Sequence, residues 1–200
     1  MRKLFIFAAV LTGLSFSSVA FAQDSGLWLV RLRGANYSPT VTDGSGLGLS
    51  MQKKTYAEFD VSYFLSPNDA VELTLAAPQS QLAYSSVEGA DVGHFKQWPV
   101  TLTGQHHFAG LQGVRPYVGA GLNYTRFSSV TLYDGAVSMQ RNTFGPVLQL
   151  GLDVPVAQGW LVNVDIKKAW LKTDLSSGGS SLGGLKSDPL VISAGVGRRF

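Results

Sequence analysis

The side chains of this sequence that are most able to carry out chemistry are charged residues that recur at every second position. Glu58 and Asp60 are separated by one residue, a spacing at which two carboxylates can act as acid and base or bind a cation. Arg31, Arg33 and Lys167 lie in segments with the same alternation. A buried ion is tolerated when it has partners, so we interpret Glu58 and Asp60 as members of an ion-paired cluster rather than as catalytic groups.

Other candidate motifs predict no chemical site. His106 and His107 are adjacent, and neighbouring residues of a strand point to opposite faces, so they do not readily chelate one metal. We expect His107 to form hydrogen bonds in the interior. The glycine-rich segments 44–48 and 178–184 lack the following helix that a nucleotide-binding loop requires, and we interpret them as flexible outer loops. The sequence contains no cysteine, which excludes a thiolate ligand, and we predict neither a metal site nor a cofactor.

The first 22 residues have the three parts of a secretory signal peptide. Arg2 and Lys3 form a basic head, residues 4–11 are apolar, and residues 20–22 end the segment with an A-x-A cleavage site. We predict cleavage after Ala22 and a single mature domain over residues 23–200. The formal charge of +3 then falls, because two of the 16 basic residues are lost while all 13 acidic residues stay. An exported and nearly neutral chain is not expected to bind nucleic acid.

The mature part of the sequence alternates between apolar and polar residues with a period of two, which is typical of β-strands. Eight such segments occur, at residues 28–33, 55–65, 71–76, 98–105, 118–125, 143–153, 160–167 and 190–197. Pro146 interrupts the sixth segment and predicts a bulge there, because proline cannot donate a ladder hydrogen bond. An even number of alternating strands is compatible with a closed antiparallel sheet.

The links between these strands are unequal in a regular way. Short turns are predicted at 66–69, 109–113 and 155–159, and long polar links at 39–53, 78–97, 128–141 and 174–188. Short turns at one end and long loops at the other are typical of outer-membrane barrels. The charged residues of the strands all fall on the face opposite the uniformly apolar one, as expected for a narrow lumen lined by polar groups and an outer surface in lipid.

The fold predicted is therefore an all-β, eight-stranded antiparallel transmembrane β-barrel with short periplasmic turns and long extracellular loops, in the outer membrane of a Gram-negative bacterium. Aromatic residues near the predicted strand ends favour the two membrane interfaces. They are Trp28, Tyr63, Trp98, Phe108, Phe144, Trp160, Trp170 and Phe200. Barrel enzymes that act on outer-leaflet lipid need their catalytic groups at the outer end, whereas His106 and His107 precede a periplasmic turn. We predict no enzymatic activity.

Four segments resemble signatures of the outer membrane protein W family: residues 98–102, 115–125, 159–168 and 197–200. The resemblance implies an eight-stranded barrel whose narrow channel handles small hydrophobic molecules, ends at a constriction and opens sideways into the bilayer. Thr74 and Lys167 align with the constriction, where some members have an apolar residue and a tryptophan. Arg198 replaces a typical aromatic residue, whereas the terminal Phe200 is kept and is predicted to be the signal for the barrel-assembly machinery.

Two sets of lumen residues follow from these interpretations. The predicted path of the ligand runs through the outer part of the lumen down to the constriction and comprises Tyr56, Phe64, Thr74, Tyr117, Phe127 and Leu171. The predicted ionic plug comprises Arg31, Glu58, Asp60, Glu72, Asp165 and Lys167. Within the plug we expect Lys167 to pair first with Glu72, and next with Asp165 or Glu58, so that the periplasmic half of the lumen is closed.

The function predicted is passive uptake of small hydrophobic molecules, which are released laterally into the bilayer. The partners expected are outer-membrane lipids and lipopolysaccharide, the barrel-assembly machinery and the hydrophobic ligand. The alternative is a surface protein without transport activity, an adhesin or a phage or toxin receptor that acts through its extracellular loops. A binding assay with a short alkane or a fatty acid distinguishes the two.

Overall fold

A computed structural model describes residues 26–108 and 113–200 of the protein. The predicted signal peptide, its cleavage site and most of the turn predicted at 109–113 lie outside the described residues. Within these two ranges, no helix has the length and apolar character needed to cross a membrane. The helical structure that they contain is a 3₁₀ turn at Tyr133–Gly135.

Fourteen strands occur in the described residues. Eight of them form the barrel: β1 (Trp28–Ser38), β4 (Lys54–Phe64), β5 (Asp69–Ala76), β7 (Ala90–His107), β8 (Arg115–Leu132), β10 (Asn142–Ala157), β11 (Trp160–Ala169) and β14 (Leu190–Arg199). The other six are β2 (Val41–Asp43), β3 (Leu49–Met51), β6 (Gln79–Ser85), β9 (Ser138–Met139), β12 (Leu171–Ser177) and β13 (Ser180–Ser187). Each barrel strand pairs antiparallel with the next, and β1 pairs with β14, which closes the sheet as the sequence predicted.

The alternation of the sequence separates the two faces of the barrel as expected. Leu32 and Leu122 on the outer face are 58% and 62% exposed, whereas Arg31 on the inner face is fully buried. This is the reverse of a water-soluble protein, and it follows from the surroundings, since lipid accommodates leucine while the lumen provides ion-pair partners. The sheet therefore has an apolar outer band and a polar interior.

The extracellular links differ from the long, flexible loops that the sequence predicted. β7 and β8 each continue for 18 residues and carry the barrel wall outward. Above the membrane, β2, β13, β12 and β9 form a second, four-stranded sheet, and β3 pairs with β6. The glycine-rich segment at 178–184 is largely a tight hairpin, in which Gly178 and Gly179 take positive φ values of 56° and 84°. The prediction of a flexible loop there was wrong. The hairpin is held by backbone pairing between β12 and β13, and this pairing leaves no apolar alternation that the sequence could reveal.

The bulge predicted at Pro146 is also absent. Pro146 pairs in regular register with Leu122 of β8, and the irregularity of β10 lies instead between Pro155 and Ala157. On its other side, the pairing of β10 with β11 ends at Val147, beside Pro146. The Pro146 carbonyl accepts a hydrogen bond from the Trp170 amide at 3.1 Å, so the backbone of Pro146 faces the β11 side. Pro146 is tolerated because the N–H that it lacks would point to this side, where the ladder has ended.

Candidate functional site

Arg31 is the centre of an ionic cluster in the lumen. Its guanidinium contacts three carboxylates, Asp60 at 3.1 Å, Glu72 at 3.0 Å and Asp153 at 2.7 Å. The contact with Asp153 is bidentate, because Arg31 Nε also donates to the second carboxylate oxygen at 3.2 Å. These partners come from β4, β5 and β10, so a single side chain of β1 joins strands on both sides of the lumen.

Two further cations complete the cluster. The guanidinium of Arg33 lies 2.9 Å from Asp60 and 3.5 Å from Asp165. Lys167 Nζ lies 2.8 Å from Asp165, 3.7 Å from Glu58 and 3.8 Å from Glu72. The structure thus brings together all six residues of the predicted plug, but the order of partners expected for Lys167 was wrong. Asp165 is closest because it lies two residues away on the same face of β11.

Neutral side chains supply further hydrogen bonds to the carboxylates. Gln149 Nε2 donates to Glu72 at 2.9 Å and to Asp165 at 2.7 Å, and Asn163 Nδ2 donates to Asp153 at 2.7 Å. The sequence prediction of the plug omitted Gln149, Asn163 and Asp153. All three lie on the inward face by alternation, and this parity was the signal that could have found them. The cluster is a connected polar network rather than a set of isolated pairs, in which Glu58 Oε2 and Asp60 Oδ2 have ion-pair contacts with Arg33 but no aligned hydrogen bond.

Tyr117 and Phe64 do not lie where the predicted ligand path requires them. The Tyr117 hydroxyl donates to Asp165 at 2.7 Å, so Tyr117 belongs to the ionic cluster. Phe64 packs in an apolar group with Leu29 and Leu161 on the periplasmic side of the cluster. Both residues face inward as predicted, but the register of the strands sets them near the periplasmic end, whereas the path was expected in the outer part of the lumen.

His107 joins this periplasmic layer. Its ring stacks on Tyr117 at 4.8 Å between centroids, and it lies 5.0 Å from the Phe64 ring. His107 Nε2 is 3.2 Å from Gln105 Oε1, an interior hydrogen bond of the kind that the sequence predicted. His106 points to the opposite face and pairs with Asp69 at the exposed turn.

A small cavity lies on the extracellular side of the ionic cluster. Its floor includes Glu58 and Lys167, and three of the predicted path residues line its walls, namely Tyr56, Thr74 and Leu171. Val147, Ala169 and Leu171 form an apolar patch on one wall. The cavity volume of about 40 Å³ holds roughly three water molecules. A hydrophobic ligand larger than that enters only when side chains move.

Above the cavity, the extracellular half of the barrel is filled by a packed apolar core. Phe127, the remaining residue of the predicted path, belongs to this core and meets Phe95 edge to face with 5.6 Å between ring centroids. Leu132, Leu175 and Leu185 complete its centre. Along the barrel axis, the interior therefore passes from an apolar periplasmic layer to the ionic cluster, the cavity and the apolar core.

The end of the chain lies at the periplasmic rim. Phe200 N–H donates to the Trp28 carbonyl at 2.8 Å, which joins the last residue to the first strand. The Arg198 guanidinium lies over the rings of Trp160 and Phe200, at 5.4 Å and 5.2 Å from their centroids. Arg198 is thus accommodated at the position of the expected aromatic residue by cation–π contacts. The role of Phe200 as the assembly signal stays a prediction.

The sequence that forms this barrel matches a known family. The model of the OmpW family matches residues 33–200. The chain belongs to the OmpW family. As a member of that family it is an outer-membrane β-barrel protein of a Gram-negative bacterium.

Relatives with known names support the OmpW assignment over nearly the whole chain. The outer-membrane protein y4mB of Sinorhizobium fredii is 34% identical over 204 residues, covering 96% of this chain and 89% of the relative. Outer membrane protein W of Escherichia coli is 30% identical and covers both chains completely. Its solution NMR structure superimposes with a TM-score of 0.68 at 27% identity, covering 90% of this chain and all of the other. The dibenzothiophene metabolism operon protein PahQ of Pseudomonas aeruginosa is 28% identical, covering 94% of this chain and 86% of PahQ.

Proposed function

We propose that this OmpW-family barrel takes up small hydrophobic molecules passively from outside the cell and releases them sideways into the outer membrane. The observation that carries this proposal is the cavity with an apolar wall above an ionic cluster that closes the lumen. The name of the relative PahQ, which ties it to the metabolism of an aromatic compound, also supports a hydrophobic ligand.

Passage straight through the barrel is opposed by the cluster. Arg31, Asp60, Glu72 and Asp165 are completely buried, and their contacts extend across the lumen from β1 to β11. A hydrophobic molecule that passed through would have to separate buried ion pairs, which costs several kcal/mol for each unpaired ion. A ligand that reaches the cavity from above therefore leaves more easily through the wall than through the floor.

The wall has a discontinuity beside the cavity. The last hydrogen bond between β4 and the strand after it runs from the Ala77 amide to the Ala57 carbonyl at 2.9 Å. Beyond it, Pro78 has no N–H with which to continue the ladder. Within the described residues, β6 pairs with β7 and β3 but not with β4. Tyr56 lines the cavity next to this gap. We propose that the ligand leaves between β4 and β6 when Tyr56 moves.

The uptake itself is tested in intact Gram-negative cells that lack their own members of the family. The initial rate of uptake of radiolabelled naphthalene is measured with the wild type, with Ala169→Leu, which fills the cavity, and with Ala194→Leu, which adds the same atoms on the lipid face. We expect wild type and Ala194→Leu to raise uptake equally and Ala169→Leu to lose most of the increase. Equal uptake with and without the protein contradicts the proposal and favours the surface role of the extracellular loops.

The lateral route is tested with paired cysteines, because the chain has none of its own. Thr55→Cys on the exposed face of β4 and Ser80→Cys on the exposed face of β6 lie on the two strands that flank the gap, and they are joined by a reducible thiol cross-linker. The matched control joins Thr55→Cys to Asn36→Cys, whose positions are already paired in β4 and β1. We expect the first cross-link to lower naphthalene uptake at least fivefold, reversibly on reduction, and the control to leave it unchanged. Equal uptake with both cross-links contradicts this exit.

A further inference from the structure

A second pocket opens at the outer surface, between the extracellular part of β8 and the short strand β9. Its volume is about 270 Å³, and its back is formed by Phe127 and Met139 of the apolar core. The exposed residues that line it include Arg126, Arg141 and serines. The serines are Ser128, Ser129 and Ser138. The pocket exists because β8 leaves β10 at Arg126, while β9 pairs with β12 instead.

The charge of this pocket is entirely positive. Its lining contains two arginines and no acidic residue. Within the described part of the chain, neither Arg126 nor Arg141 has a carboxylate within ion-pair distance, in contrast to Arg31 and Arg33 in the lumen. Two unpaired guanidiniums next to hydroxyl donors form a group that suits a phosphate, because guanidinium presents its donors in the fork geometry that phosphate oxygens match.

The height of the pocket relative to the membrane determines which phosphate can reach it. Arg126 pairs directly with Trp98 in the register of β7 and β8. Tyr124 and Phe144, which contact each other at 4.8 Å between ring centroids, lie immediately below it. Exposed aromatic rings of this kind mark the interface between the hydrocarbon and the headgroups. The arginines therefore lie at the level of the headgroups of the outer leaflet.

We propose that this pocket binds a phosphate group of lipopolysaccharide, the phosphorylated glycolipid of the outer leaflet. Arg126 and Arg141 hold the phosphate, and the serine hydroxyls donate further hydrogen bonds to the phosphate or the attached sugar. The acyl chains of the same molecule then lie along the exposed apolar band below, beside Leu122 and Phe144. The barrel would thus carry a specific lipid at one side of its wall, independently of any transported molecule.

The test uses the full-length protein refolded in detergent, with purified rough lipopolysaccharide as the ligand and EDTA present to remove bridging cations. The Arg126→Gln/Arg141→Gln variant is compared with Lys172→Gln/Lys186→Gln, which removes the same charge from exposed positions on β12 and β13. Heat-modifiable migration on gels establishes that each variant is folded. We expect the arginine variant to bind at least about tenfold more weakly, since hydrogen bonds to charged groups contribute this much or more, and the lysine variant to change far less.

Two further ligands test whether the pocket recognises the phosphate group and whether it requires the rest of the lipid. Lipopolysaccharide treated with phosphatase should bind the wild type as weakly as the intact lipid binds the arginine variant. Inorganic phosphate alone should bind much more weakly than the glycolipid. The proposal is overturned if the arginine variant retains wild-type affinity, if both double variants lose affinity equally, if removal of the phosphates has no effect, or if free phosphate binds as tightly as the lipid.

Discussion

The two halves of this barrel have opposite interiors. In the membrane, the lumen around Arg31 holds buried ions, and the surface around Leu122 is apolar. Above the membrane, the interior around Phe95 is apolar, and the walls carry exposed charges such as Lys172. The same continuous strands, β7 and β8, pass through both halves. The polarity of the medium outside the wall therefore determines whether the interior is ionic or apolar.

The two halves differ because an apolar side chain that turns inward leaves water in one half and lipid in the other. In water, moving leucine to the interior removes apolar surface from the solvent, and this burial stabilises the extracellular half. Within lipid, an inward leucine gains little over an outward one, because the hydrocarbon is as apolar as the core. The membrane half is free to use its interior for ion pairs, whose low-dielectric surroundings make them strong but expensive to break.

The sharpest test of the ionic half is Lys167→Met. The substitution leaves the Asp165 carboxylate without its nearest cation, and it should lower the free energy of unfolding by roughly 3–5 kcal/mol if the cluster is desolvated. Urea unfolding in lipid vesicles measures it, with Lys172→Met as the control at an exposed pair, for which about 1 kcal/mol or less is expected. A loss at Lys167 of under about 1 kcal/mol would mean that the lumen is wet.

The apolar half is tested by Leu175→Ala. Leu175 is 1% exposed in the extracellular core, and its truncation should cost about 2–3 kcal/mol, because both the transfer free energy and the cavity contribute. Leu150→Ala on the lipid face is the control, and it should cost less, since lipid chains fill the space that the smaller side chain leaves. Equal losses in the same urea experiment would remove the distinction between the two halves.

Tyr117→Phe examines a single neutral donor of the ionic half. The variant keeps the ring that stacks on His107 and removes the hydroxyl that donates to Asp165. A loss of about 1.5–3 kcal/mol in unfolding free energy is expected, because the acceptor is charged and buried. It should lie near the lower end of this range, because Asp165 keeps its contacts with Lys167 and Gln149. Tyr84→Phe, on the exposed face of β6, serves as the control and should be nearly neutral. No loss at Tyr117 would indicate that water replaces the hydroxyl.

The smallest effect is expected at Asp43 in the extracellular half. Partial burial acts to raise the pKa of Asp43, but the Ser45 hydroxyl and the amides of Ser45 and Leu49 lower it below its usual value. A lowered pKa stabilises the fold above the pKa of the unfolded chain, and this contribution is lost as the pH falls through the folded pKa. The melting temperature of Asp43→Asn should therefore lie slightly below that of the wild type at pH 7, and the difference should shrink below about pH 4. A difference independent of pH would exclude the carboxylate as its origin.

The membrane half could be predicted from the sequence to a large extent. Lipid and lumen impose opposite polarities on alternate residues, so the period of two identified all eight barrel strands and the inward position of residues such as Glu72 and Lys167. The position of each residue along the barrel axis was harder to predict. Tyr117 and Phe64 face inward as expected, yet their level depends on the register between strands, and no single strand contains that information.

The extracellular half was largely beyond sequence reasoning. Its short strands, such as β12 and β13, are rich in serine and glycine, as at Ser176 and Gly183, and they bury few side chains each. Their stability comes from pairing with segments far away in the chain, such as β13 with β2. The apolar core there is assembled from single residues of many strands, including Met139 and Leu185, and none of them belongs to a recognisable run.

The bond between Arg31 and Asp153 has a consequence for how the protein is made. These residues are separated by 122 positions, and the first strand also needs the last one to close the sheet. A chain released before β10 would present a cation of β1 without one of its anions, together with an open edge that lipid cannot satisfy. Productive insertion should therefore be slow and all-or-none. The complete chain should be present before any strand enters the bilayer.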